Sequence, residues 1–215
     1  MTMRHKITDD IANDWKEHAY YDLAESDAWL QGFWVPGRFY DLFCRLDPTR
    51  IVEVACGHGR HVPKYADKSE EITLVDINRE NIDFCRERFK DKKNVRYVVN
   101  DGSSLQPVGD STQTAVFSYD AMVHFELFDI FGYLVETCRV LQPGGMALFH
   151  HSNYTGNPGA IYKDNPHGRN FMSAGLFTHL AMRAGLEVVA QNLLHWTNAR
   201  NLDCLSLCKK PRETP

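Results

Sequence analysis

The chain has 215 residues, with 24 Lys and Arg against 28 Asp and Glu for a formal net charge of −4, and its sequence pI is near 6.2. That length suits one well-buried core and is short for two ordinary domains. The slight acidic excess argues against nucleic acid as a partner, and no run of about eighteen apolar residues offers a membrane span. Met1-Thr2-Met3-Arg4-His5-Lys6 is followed by Asp9, Asp10, Asn13 and Asp14 where a secretory signal would carry an apolar core, so a cytoplasmic location is expected. The six cysteines, at 44, 56, 85, 138, 204 and 208, form no C-x-x-C pair and read as buried reduced thiols.

Residues 1–45 are rich in aromatics, with Trp15, Tyr20, Tyr21, Trp29, Phe33, Trp34, Phe39 and Tyr40 on helical stretches interrupted at Gly32 and Pro36-Gly37. They read as a helical lid over residues 46–215, which form the remaining compact unit. The first strand signal is Ile51-Val52-Glu53-Val54, running into Ala55-Cys56-Gly57-His58-Gly59-Arg60. Glycines at 57 and 59 let the backbone turn sharply and approach a ligand, and a helix beginning near Arg60 would aim its free N–H groups at an anionic group. A dinucleotide fingerprint needs a third glycine at 62, where the chain has Val62, so a carboxylate fits better than a pyrophosphate. Ala55 is expected in a β or bridge conformation, leaving the tightest bends to the two glycines.

Ile72–Asp76 is a second strand ending in an acid twenty-three residues after Glu53, the separation of one β-α-β unit, and it places Asp76 to accept from both ribose hydroxyls. The third, Val95–Asn100, leads into Asp101-Gly102-Ser103, where the Asp101 carboxylate and nearby backbone can read an adenine edge. Thr114–Asp120 is a fourth strand, and Arg139-Val140-Leu141-Gln142-Pro143-Gly144-Gly145 leads to a fifth at Met146–His150. Helical periodicity covers Arg79–Phe89, with Ile82, Cys85 and Phe89 inward. It also covers Leu127–Leu141, with Phe131, Leu134, Val135, Cys138 and Leu141 inward. Ser173 caps a helix over Ala174–Ala184 with Gly185 as its terminator, and strands at 186–194 and 202–209 follow, separated by the turn-like Thr197–Asn201. Residues 152–171 have no regular signal and leave the edge where open α/β sheets bind ligands, so they are a candidate for substrate recognition.

In this order and spacing, the E-x-x-x-G-x-G loop, the acid ending the second strand, the Asp-Gly after the third and the L-x-P-G-G turn before the fifth resemble the class I S-adenosylmethionine-dependent methyltransferases. The resemblance covers roughly residues 38–209. It implies a doubly wound α/β sheet of seven strands with helices on both faces and the last strand antiparallel. S-adenosylmethionine is the implied cofactor, contacted by Glu53, Ala55, Cys56, Gly57, Gly59, Asp76, Ile77, Asp101, Gly102, Ser103 and Ser118. Methyl transfer to oxygen or nitrogen of a small-molecule acceptor is the implied reaction, with oxygen slightly favoured. A macromolecular acceptor, a dinucleotide-binding protein and a non-catalytic binding protein of the same fold remain alternatives.

A sulfonium methyl is already activated, so the protein must position the nucleophile and, for a hydroxyl, assist removal of its proton. His124 after the fourth strand and His150 and His151 at the end of the fifth are the candidate general bases. The last two are adjacent on a strand and point to opposite faces, so they cannot both enter one pocket. A magnesium site is not expected: Asp120 occupies one acidic position of the metal-dependent type, but His150-His151-Ser152-Asn153 supplies no second acid. The sequence does not indicate an oligomeric state.

Overall fold

Runs such as Ile51-Val52-Glu53-Val54 and Ile72-Thr73-Leu74-Val75 are apolar on both sides because parallel strands with helices on each face bury every side chain. The computed structural model describes residues 3–16, 19–26, 30 and 32–212; Trp29 lies outside them. β1 (Arg50–Val54), β2 (Glu71–Asp76), β3 (Val95–Val99), β4 (Gln113–Ser118), β5 (Leu141–Ser152), β6 (Glu187–Trp196) and β7 (Ala199–Lys209) form one seven-stranded sheet in the order β3-β2-β1-β4-β5-β7-β6. The first five pair in parallel, while β7 runs antiparallel between β5 and β6. The doubly wound sheet with an antiparallel last strand is therefore present. The hairpin joining β6 to β7 is tighter than the sequence suggested, with only Thr197 and Asn198 between the strands.

Strand alternation divides the core. Ile51, Ile72, Leu74 and Phe117 face one layer with Phe39, Phe43, Tyr65, Ile82 and Phe89. Val52, Val54, Val75, Val116 and Phe149 face the other with Ile130, Leu134 and Phe177. The described helices are α1 (Met3–Asp14), α2 (Tyr20–Ala24), α3 (Arg38–Phe43), α4 (Val62–Tyr65), α5 (Arg79–Arg88), α6 (Leu127–Val140) and α7 (Ala174–Arg183). α5 buries Ile82 and Cys85 as its periodicity required, and the Ser173 hydroxyl caps α7 by accepting from Leu176 N.

Two helix expectations need correction. The helix after the glycine loop starts only at Val62 and lasts four residues, with Pro63 in its first turn. α6 is rotated by about one residue: Ile130, Tyr133, Leu134, Thr137 and Val140 are buried, whereas Val135 is 43% exposed. The stripe of Ile130, Tyr133, Leu134 and Val140, three and four residues apart, is the one that packs into the core.

Registers place the carboxyl ends of β1 and β2 level, with Val54 opposite Val75, and β4 pairs beside β1. The glycine loop, Asp76 and the residues after Ser118 therefore meet at one sheet edge, beneath α1 and α2.

Candidate active site

Residues 55–59 alternate into the left-handed region: Ala55 has φ +53°, Gly57 +53° and Gly59 +70°. Ala55 is thus not in the β or bridge conformation expected of it. The loop takes its first left-handed step one residue after β1, before the first glycine, at a cost of about 1–2 kcal/mol for a residue with a Cβ. Gly57 must be glycine on two grounds, because an added Cβ would also lie 2.7 Å from Cε1 of Tyr21 in α2. Gly59 turns away from the cleft, and its missing Cβ makes room for the Phe89 ring.

Asp76 is 5% exposed and holds this loop. Its Oδ2 accepts from Gly57 N (2.9 Å), and its Oδ1 accepts from Asn78 N (2.9 Å) and Asn81 Nδ2 (3.1 Å). Burial raises its pKa despite those donors. Glu53, 3% exposed, accepts from Tyr65 OH at 2.6 Å, and burial pushes its carboxyl up to about 7.

These groups open into one cleft whose empty space, about 980 Å³, includes open solvent. Its floor is Glu53, Ala55, Cys56, Gly57, Asp76, Ile77 and Gly102, and α6 contributes Asp129 and Tyr133. The roof is Thr8, Ile11, Ala12, Trp15, Tyr20 and Tyr21 from the N-terminal helices, and the far wall is Arg60, Tyr119, Asp120, Ala121, His124 and Phe125.

On that wall Asp120 has φ +62°. Its Oδ2 accepts from Arg60 Nη2 (3.0 Å) and from the Tyr20 hydroxyl. Burial and the adjacent carboxylate push the Tyr20 phenol up to about 12. For Arg60, burial disfavours the charge, but Asp120 more than restores it and the net shift is upward. His124 is 6% exposed; its Nδ1 lies 2.6 Å from Gly168 O, and its ring packs 4.6 Å from Trp15. A carbonyl can only accept, so Nδ1 carries the proton and Nε2 is the unprotonated nitrogen. Burial lowers its pKa to about 4.

Several expected site residues stand elsewhere. His151 is fully buried on the opposite face of β5, stacked 3.9 Å from Phe177 and bonded through Nδ1 to Ser152 O (2.8 Å) and Nε2 to Ser206 Oγ (2.8 Å). His150 is equally buried, one layer behind the wall, with its ring 4.6 Å from Tyr119. Neither lines the cleft. Asp101 is exposed, and its Oδ1 accepts from Ser103 N (3.0 Å) and Ser104 N (2.8 Å), closing its own turn instead of facing the cavity. Ser103, Ser118 and Gly59 are also absent from the lining, and Ser118 is fully buried. No described residue of 152–171 reaches the cleft; the segment stands behind His124 through Gly168.

Arg60 was not assigned to the site from sequence, Asp120 was considered only as a metal position, and Trp15, Tyr20 and Tyr21 were expected only as part of the lid. A charged residue directly after a Gly-x-Gly turn was the one available signal for Arg60.

A strand-loop-helix edge with an acid on β2, a glycine loop on β1 and β7 inserted antiparallel defines the class I methyltransferase fold. Residues 51–145 match the family model for the methyltransferase domain. The fatty-acid O-methyltransferase of Mycolicibacterium smegmatis is 34% identical over 106 residues, 48% of this chain and 37% of that protein. The phthiotriol/phenolphthiotriol dimycocerosates methyltransferase 1 of Mycobacterium ulcerans is 32% identical over 107 residues, 48% of this chain and 38% of that one. In these alignments the chain spans well under two thirds of its relatives' own length. Among solved structures, the geranyl diphosphate C-methyltransferase of Streptomyces coelicolor superposes with a TM-score of 0.71 at 15% identity, covering 95% of this chain and 97% of that one. Residues 51–145 thus resemble a methyltransferase domain, and the chain has the fold of the class I S-adenosylmethionine-dependent methyltransferases.

The cleft fits the cofactor of that family. Gly57 and Gly102 offer backbone bare of Cβ, Asp76 offers a buried carboxylate, Arg60 a cation, and Trp15, Tyr20, Tyr21 and Tyr119 a set of rings suited to a sulfonium. Among the described residues no helix is long and apolar enough to cross a membrane, and no group of three or more His, Cys, Asp or Glu is arranged to hold a metal ion.

Proposed function

We propose that this chain transfers the methyl group of S-adenosylmethionine to an oxygen, or alternatively a nitrogen, of a small-molecule acceptor. The observation that carries the reading is a single cleft in which the β2 acid, the glycine loop and the His124 imidazole share one cavity under an aromatic roof. The acceptors named for the mycobacterial relatives, a fatty acid and phthiotriols, support an acceptor with a substantial apolar part.

When bound, the cofactor supplies an already activated methyl group. Asp76 would hold its ribose hydroxyls, Gly102 and Ile77 would flank the adenine, and Arg60 would hold the carboxylate of its methionine end. Trp15, Tyr20 and Tyr21 exclude water, so we read the N-terminal helices as a lid that closes over the reactants. Tyr20 fastens it to Asp120, and Lys16 to Glu80 at 2.6 Å.

For a hydroxyl acceptor, His124 Nε2 takes the hydrogen. Its donation from Nδ1 to Gly168 fixes the tautomer, and burial, which lowers its pKa to about 4, keeps it unprotonated but makes it a weaker base than a free imidazole. The test is methyl-labelled S-adenosylmethionine offered with a panel of long-chain carboxylic acids, phenols, alcohols and amines. His124→Ala should lower the maximal rate with a hydroxyl acceptor about 10²–10⁴-fold while S-adenosylhomocysteine affinity stays near wild type. A rate that survives the substitution would remove the base and leave positioning alone, or an amine that arrives unprotonated.

A further inference from the structure

Asp120 holds a backbone conformation that residues with a Cβ rarely adopt, φ +62°, while its carboxylate meets Arg60 and Tyr20 inside the cleft. What keeps the backbone there lies behind the wall. The Asp120 N–H donates to His150 Nδ1 at 3.1 Å. That nitrogen must then be unprotonated, so the proton is on Nε2, which lies 3.2 Å from Asp203 Oδ2 in electrostatic contact outside hydrogen-bond geometry. Asp203 is gripped by both arms of Arg169, Nε to Oδ1 at 2.8 Å and Nη2 to Oδ2 at 2.6 Å. Arg169 is itself stacked 4.5 Å over the Trp196 ring. His150 and Asp203 are fully buried and Arg169 is 3% exposed. Three buried ionisable groups in a row are costly to assemble, and the apolar core around them gives no reason for their presence.

The same turn grips the other side of the wall. Gly168 O orients His124, while Asn170 donates from its backbone to Val123 O (2.9 Å) and from Nδ2 to His124 O (2.9 Å). One short stretch of the 152–171 segment thus reaches His124 directly and Asp120 through Asp203 and His150, without entering the cleft.

We propose that Arg169, acting through Asp203 and His150, is a positioning residue that sets the Asp120 carboxylate against Arg60 and Tyr20. The segment after β5 therefore acts on the reaction from behind, by fixing the His150 tautomer and the Asp120 backbone. This rests on the reading of the cleft as the cofactor site.

The test pairs two substitutions that separate positioning from packing. His150→Asn keeps an acceptor near the place of Nδ1 and gives up the ring; His150→Phe keeps the ring on Tyr119 and gives up the acceptor. Positioning requires His150→Phe to weaken S-adenosylhomocysteine binding by about 5–10-fold, the worth of one lost hydrogen bond, and His150→Asn, which keeps the acceptor but no longer reaches Asp203, by a smaller factor, about 2–4-fold. Arg169→Lys, which keeps the charge but loses the two-armed grip, should weaken binding no more than His150→Asn does and should shift the Asp120 amide resonance. A packing role predicts the reverse order, and either that order or equal affinities overturns the proposal. The ¹⁵N spectrum of the wild-type histidines needs no variant: His150 must be the Nε2–H tautomer, and an Nδ1–H tautomer also overturns it. If Asp120→Asn and Tyr20→Phe leave affinity unchanged, the placement of the cofactor beside Asp120 fails. If they weaken it while the His150 and Arg169 variants do not, the relay alone fails.

Discussion

The two sides of the cleft are built on different principles. On the β1–β2 side, Asp76 binds Asn78 two residues away, Asn81 five away and Gly57 nineteen away, all within one β-α-β unit. On the β4–β5 side, Asp120 depends on His150, Arg60 and Tyr20, which are 30, 60 and 100 positions away, and His124 on Gly168, 44 away. A site half made by local chain geometry and half by distant side chains separates its duties. The first half fixes where a ligand lies, and the second can vary what reacts with it.

The comparison is most sharply tested at Asp76, where the largest effect is expected. Asp76→Ala removes a ribose acceptor and should weaken S-adenosylhomocysteine binding by about 1.5–3 kcal/mol in calorimetry. It also leaves the Gly57 and Asn78 N–H groups without their acceptor in a buried loop, so the unliganded domain should lose roughly 2–5 kcal/mol in denaturant unfolding. If affinity falls with no loss of stability, the loop is not held locally and the contrast between the two sides collapses.

What was legible in the sequence follows the same division. The parallel strands and the tight bends of the glycine loop could be read because each depends on neighbours within one β-α-β unit, whereas the antiparallel seventh strand followed only from the family resemblance. Asp101 was misread for an equally local reason: a short carboxylate after a strand satisfies itself on the next two N–H groups, and the Asx turn competes with a ligand for it. The opposed faces of His150 and His151 were legible from strand alternation. That His151 would meet Phe177 and His150 would meet Tyr119 was not, since each partner belongs to another element. The cluster of Arg60, Asp120 and Tyr20 unites three distant positions by tertiary contact alone.

Glu53 gives the next effect, and a pH signature. Its folded pKa, about 7, lies above the ordinary 4.5, so the stabilisation from its bound proton is complete below about pH 4.5 and is lost as pH rises through 7. Glu53→Gln removes that dependence. Relative to wild type, the variant should therefore gain stability from pH 5 to pH 8, by on the order of 3 kcal/mol at the top. A constant difference across that range would mean that Glu53 is ionised in the folded protein at all these values.

His151 carries the opposite sign. Burial lowers its pKa to about 3, so the fold loses stability as pH drops from about 6.5 toward 3, where the unfolded chain takes up the proton and the folded one resists it. His151→Ala should cost about 2–3 kcal/mol near pH 7 through the lost stack and hydrogen bonds, and thermal unfolding of the variant should be less sensitive to acid. Its methyl-transfer rate at saturating substrates should stay near that of wild type, in contrast to His124→Ala. A rate collapse with unchanged stability would return His151 to the site and break the assignment of faces.

The smallest effect tests the local side at its one irregular residue. Ala55 sits at φ +53° where a residue with a Cβ is strained by about 1–2 kcal/mol, while glycine there would cost about 0.5–1 kcal/mol in extra freedom of the unfolded chain. The strain exceeds the entropy, so Ala55→Gly should stabilise the protein by about 0.5 kcal/mol. In a chain of this length that is a rise of roughly 1–2 °C in the melting temperature. The substitution removes no hydrogen bond and leaves Asp76 its donors, so S-adenosylhomocysteine affinity should be unchanged. A lower melting temperature would mean that the Ala55 methyl, on the cleft floor between Glu53 and Cys56, contributes more by packing than its backbone loses by strain. The loop would then be held by side-chain contacts as well, and the two sides of the cleft would differ less than their hydrogen bonds imply.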